Sequence, residues 1–483
     1  MKISTKNNEY FYDNNTGLIL PGAEVILSIM NIENWKIKSE NEIINLLINM
    51  DKESIVFYHS WLIKYEDFKS NLTSNNHFSN INEDLIKSSL LHNGFKELIL
   101  SVTEDCNFRC SYCVYSENFS DTRNHSKNYM NWETAKKAID IYLNYFKEGK
   151  KFNLFREPVF GFYGGEPLLN FDLIKKIVNY IKTIYDGTFI LNITTNGSLL
   201  TQDIADWLME NNFSIIISLD GDKKEHDRKR SYANHTETFD DVFNNIKYLL
   251  KKNYESVYVN SVFDWKTNFE ECDSFFKNIN LKVANVSEVN KITTKDYYNQ
   301  FDSKELDLFN EYFSLLEENY VITLKNQGSY LFELIEYPLV STILNSNILN
   351  VDRNLYNFTG SCIPGEKIFV NHKGEFFICE RVPEIKSIGN ISEGVNFKVI
   401  SNFIEEYNNN LSFCKECEFS FICNKCFNDF IINNDLKNSS DVCYDEESIM
   451  KNFLSRSLNF LEKSQNIVEK NYIKYFNWYN WRD

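Results

Sequence analysis

The sequence predicts an α/β fold in which a parallel sheet curls into a partial barrel, and three features of the chain support this class. Apolar runs rich in β-branched residues alternate with amphipathic helical patterns through the middle of the chain. This alternation is typical of parallel strands joined by right-handed crossovers. Polar turns with glycine or asparagine follow several of the runs, so the carboxyl ends of the strands form the natural active face.

The predicted elements follow one another in a regular order. The strand patterns lie at 97–103, 158–163, 189–194, 213–218, 256–262 and 281–286. Helical patterns lie at 132–146, 170–185, 201–210, 238–252 and 267–279, and Asn131 is a suitable N-cap for the first of them. The count predicts a partial (β/α)6 barrel of about six strand–helix units.

Three cysteines lie just after the first predicted strand. Cys106, Cys110 and Cys113 have the spacing C-x3-C-x2-C, and Tyr112 directly precedes the third. Iron–sulfur clusters are usually held by four cysteines, so three thiolates hold three irons of a 4Fe–4S cube and leave the fourth iron open. The alternatives are a zinc knuckle or separate buried thiols. Structural zinc usually needs four ligands, and this loop offers three.

A second motif ends the next strand, with the sequence Gly164-Gly165-Glu166-Pro167. Two glycines allow the backbone to approach a ligand closely. A glutamate in such a turn is able to accept a hydrogen bond from an ammonium group. One strand downstream of a cysteine loop, this combination predicts a ligand site shared by the two motifs.

With these two motifs the chain resembles the radical S-adenosylmethionine (SAM) enzymes. The resemblance implies that the open iron binds the amino and carboxylate groups of SAM, and that the reduced cluster cleaves the sulfonium to a 5′-deoxyadenosyl radical. It also implies that the Gly-Gly-Glu-Pro turn contacts the methionyl amine, and that Tyr112, Asn196 and Ser218 belong to the SAM site. For Asn196 and Ser218 the alternative is ordinary turn chemistry.

Seven further cysteines lie in the last third of the chain. The first two flank Gly374 in a C-x11-G-x4-C pattern, and the next four have the spacing C-x2-C-x5-C-x2-C. The seven are Cys362, Cys379, Cys414, Cys417, Cys423, Cys426 and Cys443. They resemble the SPASM extension of peptide-modifying radical SAM enzymes, which carries two auxiliary 4Fe–4S clusters. The usual pattern has three residues between the last close pair, whereas this chain has two.

The SPASM resemblance implies how the seven thiolates divide. The outer auxiliary cluster is then held by Cys414, Cys417, Cys423 and Cys443. The inner one is held by Cys362, Cys379 and Cys426, with one iron left open. Together with the first loop this predicts three 4Fe–4S clusters on ten thiolates. A structural zinc ribbon is the alternative for 414–426, because two C-x2-C pairs also suit zinc.

Composition restricts the compartment and the partners. Cluster thiolates must be reduced, and the N-terminus has no apolar signal core, so we expect a cytoplasmic protein. The remaining cysteine, Cys272, is expected to be an ordinary buried helical thiol. Acidic residues number 68 against 51 basic ones, giving a net charge of −17. This balance argues against a nucleic-acid partner or an anionic membrane partner.

The chain divides into five predicted segments. These are an N-terminal domain at 1–92, the barrel at 93–290, a helical bridge at 291–355, the auxiliary-cluster domain at 356–445, and a helix with an aromatic tail at 446–483. The first segment resembles the small winged-helix domains that bind a leader peptide as an added strand. The alternative for it is an extension that only packs on the barrel.

The functional hypothesis is a radical SAM peptide maturase that forms a thioether between a cysteine sulfur and a carbon of a ribosomally made, cysteine-containing precursor peptide. An external reductant such as flavodoxin or ferredoxin is expected. Other possible reactions are peptide epimerisation, carbon–carbon cross-linking and formylglycine formation in a sulfatase. An iron–sulfur protein that only binds peptide or transfers electrons is the alternative from a different class.

Overall fold

The computed structural model describes most of the chain. The described residues are 1–74, 81–113, 115, 124–289, 297–320, 327–344, 362–384, 386–420, 422–423, 425–432, 435–438, 442–443 and 448–463. The aromatic tail predicted at 475–481 lies outside them. No helix in these ranges is long and apolar enough to cross a membrane.

The N-terminal region is a small antiparallel sheet covered by helices. Its strands pair in the order β1-β2-β3, with bounds β1 Lys2–Ser4, β2 Glu9–Tyr12 and β3 Ile19–Pro21. Three helices follow: α1 Ala23–Met30, α2 Glu40–Leu46 and α3 Lys52–Ser74. Strand β1 and helix α3 were not predicted from the sequence. Apolar residues occur around much of the circumference of α3, which leaves no clear one-sided stripe to recognise.

The next helix, α4 (Glu83–Asn93), packs with the barrel although it lies within the predicted N-terminal domain. Its Ile86 and Leu90 are fully buried in the main hydrophobic core, whereas Ile26 and Leu62 belong to a separate N-terminal core. The main core therefore begins before residue 92.

Six parallel strands form the barrel, which confirms the predicted fold class. They are β4 Glu97–Thr103, β5 Val159–Gly164, β6 Ile190–Thr195, β7 Phe213–Ser218, β8 Val257–Phe263 and β9 Lys282–Glu288. The associated helices are α5 Trp132–Gly149, α6 Phe171–Ile184, α7 Gln202–Glu210, α8 Lys223–Lys229, α9 Phe239–Lys251 and α10 Phe269–Asn278. As predicted, the Asn131 side chain caps α5 by accepting from Thr134 N. Helix α8 was not predicted, because its seven residues include no apolar side chain.

Exposure alternates along three of the barrel strands, namely β6, β7 and β8. In β7, Phe213, Ile215 and Ile217 are buried, whereas Ser214 and Ser218 on the other face are half-buried. The apolar face packs under the helices, so the half-buried face is the inner one. The barrel therefore has an accessible interior.

A seventh parallel strand, which the sequence did not predict, continues this sheet on the other side of β4. It is β10 (Lys367–Val370), and Lys367 pairs in register with Glu97. Three short antiparallel strands extend the sheet further: β11 Glu375–Phe377, β12 Gly389–Asn390 and β13 Gly394–Val395. The result is one ten-stranded sheet that joins the barrel to the C-terminal cysteine region.

The remaining elements cover the sheet and carry the C-terminal cysteines. The helices are α11 Ser303–Asn319, α12 Tyr337–Leu344, α13 Phe397–Asn410 and α14 Phe427–Phe430, and the short hairpin is β14 Ile431–Ile432 with β15 Asp435–Leu436. A last helix at 448–463 packs on the N-terminal sheet, where Tyr12 stacks on Phe419 with ring centroids 5.6 Å apart and Leu454 is fully buried. The two ends of the chain thus share a hydrophobic core.

Candidate active site

The first cysteine loop leaves the carboxyl end of β4 and is tied at once to the turn after β5. Gly165 N donates to Thr103 O at 2.8 Å, and Glu166 N donates to Asp105 O at 2.8 Å. Gly164 has a φ of 142°, which favours glycine. A Cβ at Gly165 would overlap the carbonyl oxygen of Asp105. The glycine pair therefore permits a close approach of two backbone segments.

Glu166 is fully buried and its carboxylate faces the protein. Oε1 accepts from Leu168 N at 3.0 Å and from Thr195 Oγ1 at 2.7 Å, and Oε2 accepts from Asn196 N at 2.7 Å. Burial raises the pKa of Glu166 to about 7, although these hydrogen bonds oppose the shift. The side chain thus links the β5 turn to the end of β6. The Gly-Gly-Glu-Pro motif did not predict this structural role.

Asn196 brings the β6 turn onto the cysteine loop. Its Nδ2 donates to Asn107 Oδ1 at 2.9 Å and lies 3.9 Å from Cys106 Sγ. Its Oδ1 accepts from Ser198 N at 3.0 Å, which is the turn chemistry considered as the alternative. Asn196 therefore makes a hydrogen bond that stabilises the turn, and it also lies beside the first cysteine of the loop. Ser218 is the last residue of β7 and lies half-buried on the inner face.

The opposite side of the cysteine loop is held by the segment that follows α8. Arg109 N donates to Ser231 O at 2.7 Å, Ser111 N donates to Lys229 O at 2.9 Å, and Ala233 N donates to Asn107 O at 2.9 Å. These bonds form a short antiparallel ladder between 107–111 and 229–233. The cysteine loop is thus fixed on both sides by backbone hydrogen bonds.

Tyr112 takes part in a buried polar cluster. Its hydroxyl donates to Asp220 Oδ2 at 2.9 Å, and the Arg230 guanidinium lies 5.2 Å from its ring centroid. Arg230 is 6% exposed and its NH1 lies 3.9 Å from Cys110 Sγ. The tyrosine of the motif is therefore anchored beside the second cysteine.

The structure brings the three thiols of the first loop together. Burial raises the pKa of Cys106, and Cys110 and Cys113 are close enough for negative charge on either of them to raise it further. The backbone N–H of Cys113 donates to the carbonyl oxygen of Cys110 at 3.1 Å. Burial raises the pKa of the Cys110 thiol to about 12, whereas the Arg230 guanidinium lowers it. A half-buried trio of thiols that share one short loop has the donor set that an iron–sulfur cube requires.

The C-terminal cysteines form two neighbourhoods. Besides burial, negative charge on Cys379 or Cys426 raises the pKa of Cys362, so these three thiols are neighbours. In the same way, charge on Cys417 or Cys443 adds to burial in raising the pKa of Cys423. Cys414 is 7% exposed and belongs to the turn Ser412–Lys415. Cys362 is exposed, in contrast to the buried Cys443.

Within the described ranges, no group of three or more Cys, His, Asp and Glu side chains converges on a single metal ion. In a 4Fe–4S cube each cysteine binds a different iron, so the thiols surround the cluster and do not meet at one point. Cys272 is 2% exposed in α10, as the sequence predicted.

The comparisons with known proteins agree with this site. Residues 100–277 match the family model of the radical SAM superfamily. A cysteine-type anaerobic sulfatase-maturating enzyme of Clostridium novyi (strain NT) is 25% identical over 341 residues, which cover 68% of this chain and 86% of that protein. An uncharacterised protein of Methanocaldococcus jannaschii is 29% identical over 309 residues, covering 63% and 92%. A solved structure of polyhistidine-tagged anSMEcpe with bound AdoMet gives a TM-score of 0.58 at 20% identity, covering 77% of this chain and 96% of that one.

Residues 100–277 therefore form a radical SAM domain. A domain of this superfamily indicates an enzyme, and it implies a 4Fe–4S cluster and SAM as cofactors.

Sequence reasoning missed Asp220 and Arg230, which contact the motif residues directly. The run Arg228-Lys229-Arg230 was a visible signal. Three consecutive cations usually form a solvated face, so the run alone did not point to a buried site.

Proposed function

We propose that this protein modifies a ribosomally made, cysteine-containing peptide, and that the modification is a thioether between the cysteine sulfur and a carbon atom. The observation that carries the proposal is the trio Cys362, Cys379 and Cys426. It supplies three thiolates where a cube usually takes four, and Cys362 is accessible to solvent. A thiolate of the substrate has the chemistry to fill the remaining position, where a metal keeps a thiol deprotonated.

The first loop has a different role in this proposal. Cys106, Cys110 and Cys113 hold the SAM-binding cluster, and the backbone of Gly164 and Gly165 borders the methionyl amine. When bound, this cluster and SAM supply the one-electron cleavage that yields a hydrogen-abstracting radical. The pocket is completed by four side chains that stabilise its walls or border SAM, namely Glu166, Tyr112, Asn196 and Ser218. An external low-potential protein such as flavodoxin or ferredoxin supplies the electron.

The inner face of the barrel offers the peptide a polar surface. Ser214, Ser218 and Asn260 alternate with buried residues along β7 and β8 and are half-buried. At the border of the C-terminal region, the Arg381 side chain is 73% exposed, yet it lies within electrostatic range of Cys379 and of Tyr163 on β5. The Arg381 charge therefore acts on both the barrel and the inner cysteine trio, where we propose that the peptide binds.

The four other C-terminal cysteines, Cys414, Cys417, Cys423 and Cys443, hold the outer auxiliary cluster in this proposal. The total is then three 4Fe–4S clusters on ten thiolates. The segments 291–355, 356–445 and 446–483 serve as bridge, auxiliary-cluster domain and C-terminal helix with its tail. The continuous sheet supports a fixed orientation of the auxiliary-cluster domain against the barrel at 93–290.

We further propose that the N-terminal domain binds the leader of the peptide at β3. The other outer strand, β1, is covered by the helix at 448–463, because Ser455 Oγ donates to Ser4 O at 2.6 Å and Lys6 N donates to Asn459 Oδ1 at 2.8 Å. In the described part of the chain, β3 pairs only with β2. A leader strand added to the outer edge of β3 would gain main-chain hydrogen bonds.

The experiment uses anaerobically reconstituted enzyme, SAM, dithionite and a short cysteine-containing peptide chosen from the reading frames beside its gene. Formation of 5′-deoxyadenosine together with a peptide that has lost two hydrogens supports the proposal. Blocking the peptide cysteine with iodoacetamide should prevent the mass change. No 5′-deoxyadenosine from cluster-loaded enzyme would instead indicate a protein that only binds or transfers electrons.

A second candidate is formylglycine formation, which the 25% identity to a sulfatase-maturating enzyme favours. The enzyme should be given a peptide that copies the active-site segment of a sulfatase. Formylglycine formation replaces the cysteine sulfur by oxygen with loss of two hydrogens, whereas a thioether only loses two hydrogens. Mass spectrometry therefore distinguishes the two reactions directly.

A further inference from the structure

Arg230 is a buried cation that lies beside a cysteine of the first loop, although it belongs to none of the sequence motifs. It follows α8 as the C-cap residue, in extended conformation, and lies within the ladder formed by 229–233. The ladder fixes its backbone opposite Arg109 and Ser111. Its side chain is therefore directed by the same segment that holds the cysteine loop.

The guanidinium of Arg230 joins a cysteine to a buried carboxylate. NH1 lies 3.9 Å from Cys110 Sγ, while Nε and NH2 donate to Asp220 Oδ2 and Oδ1 at 2.9 and 3.1 Å. Paired bonds of this kind give an arginine–carboxylate contact a defined orientation. Asp220 is fully buried, so the pair is shielded from solvent.

Asp220 is itself held by several donors, which fixes the position of Arg230. Its Oδ1 accepts from Val262 N at 3.0 Å, and its Oδ2 accepts from the Tyr112 hydroxyl at 2.9 Å. Lys229 Nζ lies 4.0 Å from the same carboxylate and 2.7 Å from Glu225 Oε1. Every charge in this cluster therefore has an opposite charge beside it, and Arg230 is held against the sulfur by the network.

Cys106 has a different environment. The neutral Asn196 amide lies 3.9 Å from its sulfur, and Phe108 N donates to it at 3.4 Å. The three thiolates are thus not equivalent, since Cys110 faces a buried cation.

We propose that Arg230 is a positioning residue that holds the Cys110 thiolate and raises the reduction potential of the SAM-binding cluster. A reduced cluster carries one more negative charge, and hydrogen bonds to its sulfurs are among the factors that set the potential. A fixed buried guanidinium stabilises the reduced form more than the oxidised form. Asp220 has the opposite effect on the potential while it orients the guanidinium. The inference rests on the proposed cluster at this loop and not on the identity of the peptide.

The test is a potentiometric titration of the full-length, reconstituted protein, followed by electron paramagnetic resonance. The signal that changes when SAM is added identifies the relevant cluster and separates it from the auxiliary clusters. We expect Arg230→Gln to lower the equilibrium constant for one-electron reduction about tenfold, which corresponds to a midpoint potential about 59 mV more negative. Arg230→Lys keeps a positive charge and should restore part of the shift. Asp220→Asn should move the potential in the positive direction.

Arg228→Gln is the matched control. Arg228 lies two residues away and is also paired with carboxylates, with NH1 2.6 Å from Asp264 Oδ2 and NH2 2.8 Å from Glu225 Oε1. We expect this variant to lose stability without changing the potential. Equal shifts of the midpoint potential in Arg228→Gln and Arg230→Gln would overturn the inference, because a general loss of stability in this segment would then explain both.

Two further outcomes are decisive. If Arg230→Gln does not retain the cluster, Asp220→Asn carries the test, and an unchanged potential in that variant overturns the inference. If wild-type protein has no signal that responds to SAM, the proposed cluster at Cys106, Cys110 and Cys113 is wrong, and this failure is distinct from an absent shift.

Discussion

The two cysteine regions of this molecule are built in different ways. Cys106, Cys110 and Cys113 lie on one loop that is bonded to the β5 turn on one side and to 229–233 on the other. The C-terminal cysteines extend from Cys362 to Cys443 and lie mostly in irregular segments. Cys414 belongs to the turn Ser412–Lys415, and Cys426 is the N-cap of a four-residue helix. Backbone hydrogen bonds to two neighbouring segments, together with side-chain contacts, shape the first region. Among the described residues, the cysteines of the second region lie in little regular structure, so we expect bound metal to contribute more of its folding free energy.

We expect the largest effect on activity from removing the three cysteines of the first loop while the C-terminal cysteines are kept. Replacing Cys106, Cys110 and Cys113 together by alanine should abolish formation of 5′-deoxyadenosine and remove about one third of the iron, since one of three proposed clusters is lost. Iron analysis and chromatography of SAM products measure both quantities. Loss of all iron would mean that the two regions do not load independently.

The next prediction changes a cysteine of the C-terminal region and leaves the first loop intact. Cys362→Ala takes one ligand from a trio, so the inner auxiliary cluster should be lost and modification of the peptide should stop. Formation of 5′-deoxyadenosine should persist, because the first loop keeps its own thiolates. Mass spectrometry of the peptide and chromatography of the SAM products measure the two outcomes. Normal cross-linking by this variant would leave the inner trio with a purely structural role.

A smaller effect tests whether the backbone shapes the first region. In Gly165→Ala the new Cβ would overlap the carbonyl of Asp105, so the β5 turn and the cysteine loop must move apart. Such overpacking typically costs about 1–3 kcal/mol, and we expect SAM to bind about tenfold more weakly. Anaerobic titration calorimetry measures the affinity. In the control Gly187→Ala the nearest atoms belong to the movable ring of Tyr185, so SAM affinity should be unchanged.

The sequence predicted the barrel well because the information there is local. Strands 97–103 and 213–218 were predicted with the bounds that the structure has, since their apolar runs end at polar turns. Strand β10 was not predicted, because its partner Glu97 lies about 270 residues away and no local pattern specifies that pairing. The role of Arg230 was missed for a related reason. A cation is buried only when distant carboxylates such as Asp220 meet it.

The remaining prediction concerns stability rather than activity, namely the effect of pH on the contact between the β5 and β6 turns. The pKa of Glu166 is raised from 4.5 to about 7, so between these values the folded protein binds more protons than the unfolded chain. The free energy of unfolding should therefore fall as the pH rises through this window, by up to about 3 kcal/mol from this group. Glu166→Gln has no such group. Apparent unfolding temperatures at pH 5 to 8 should thus fall more steeply for wild type than for the variant, and parallel curves would contradict this.

The pairing of β10 with β4 also has a consequence for how the chain reaches its final form. Strand β4 begins the barrel, yet the strand that covers its outer edge is not synthesised until residue 370. Until then a row of unpaired backbone groups on a strongly apolar strand is open to association with other chains. Nascent or truncated chains that end before β10 should therefore be prone to aggregation, because β10 closes the edge of the strand that leads into the first cysteine loop.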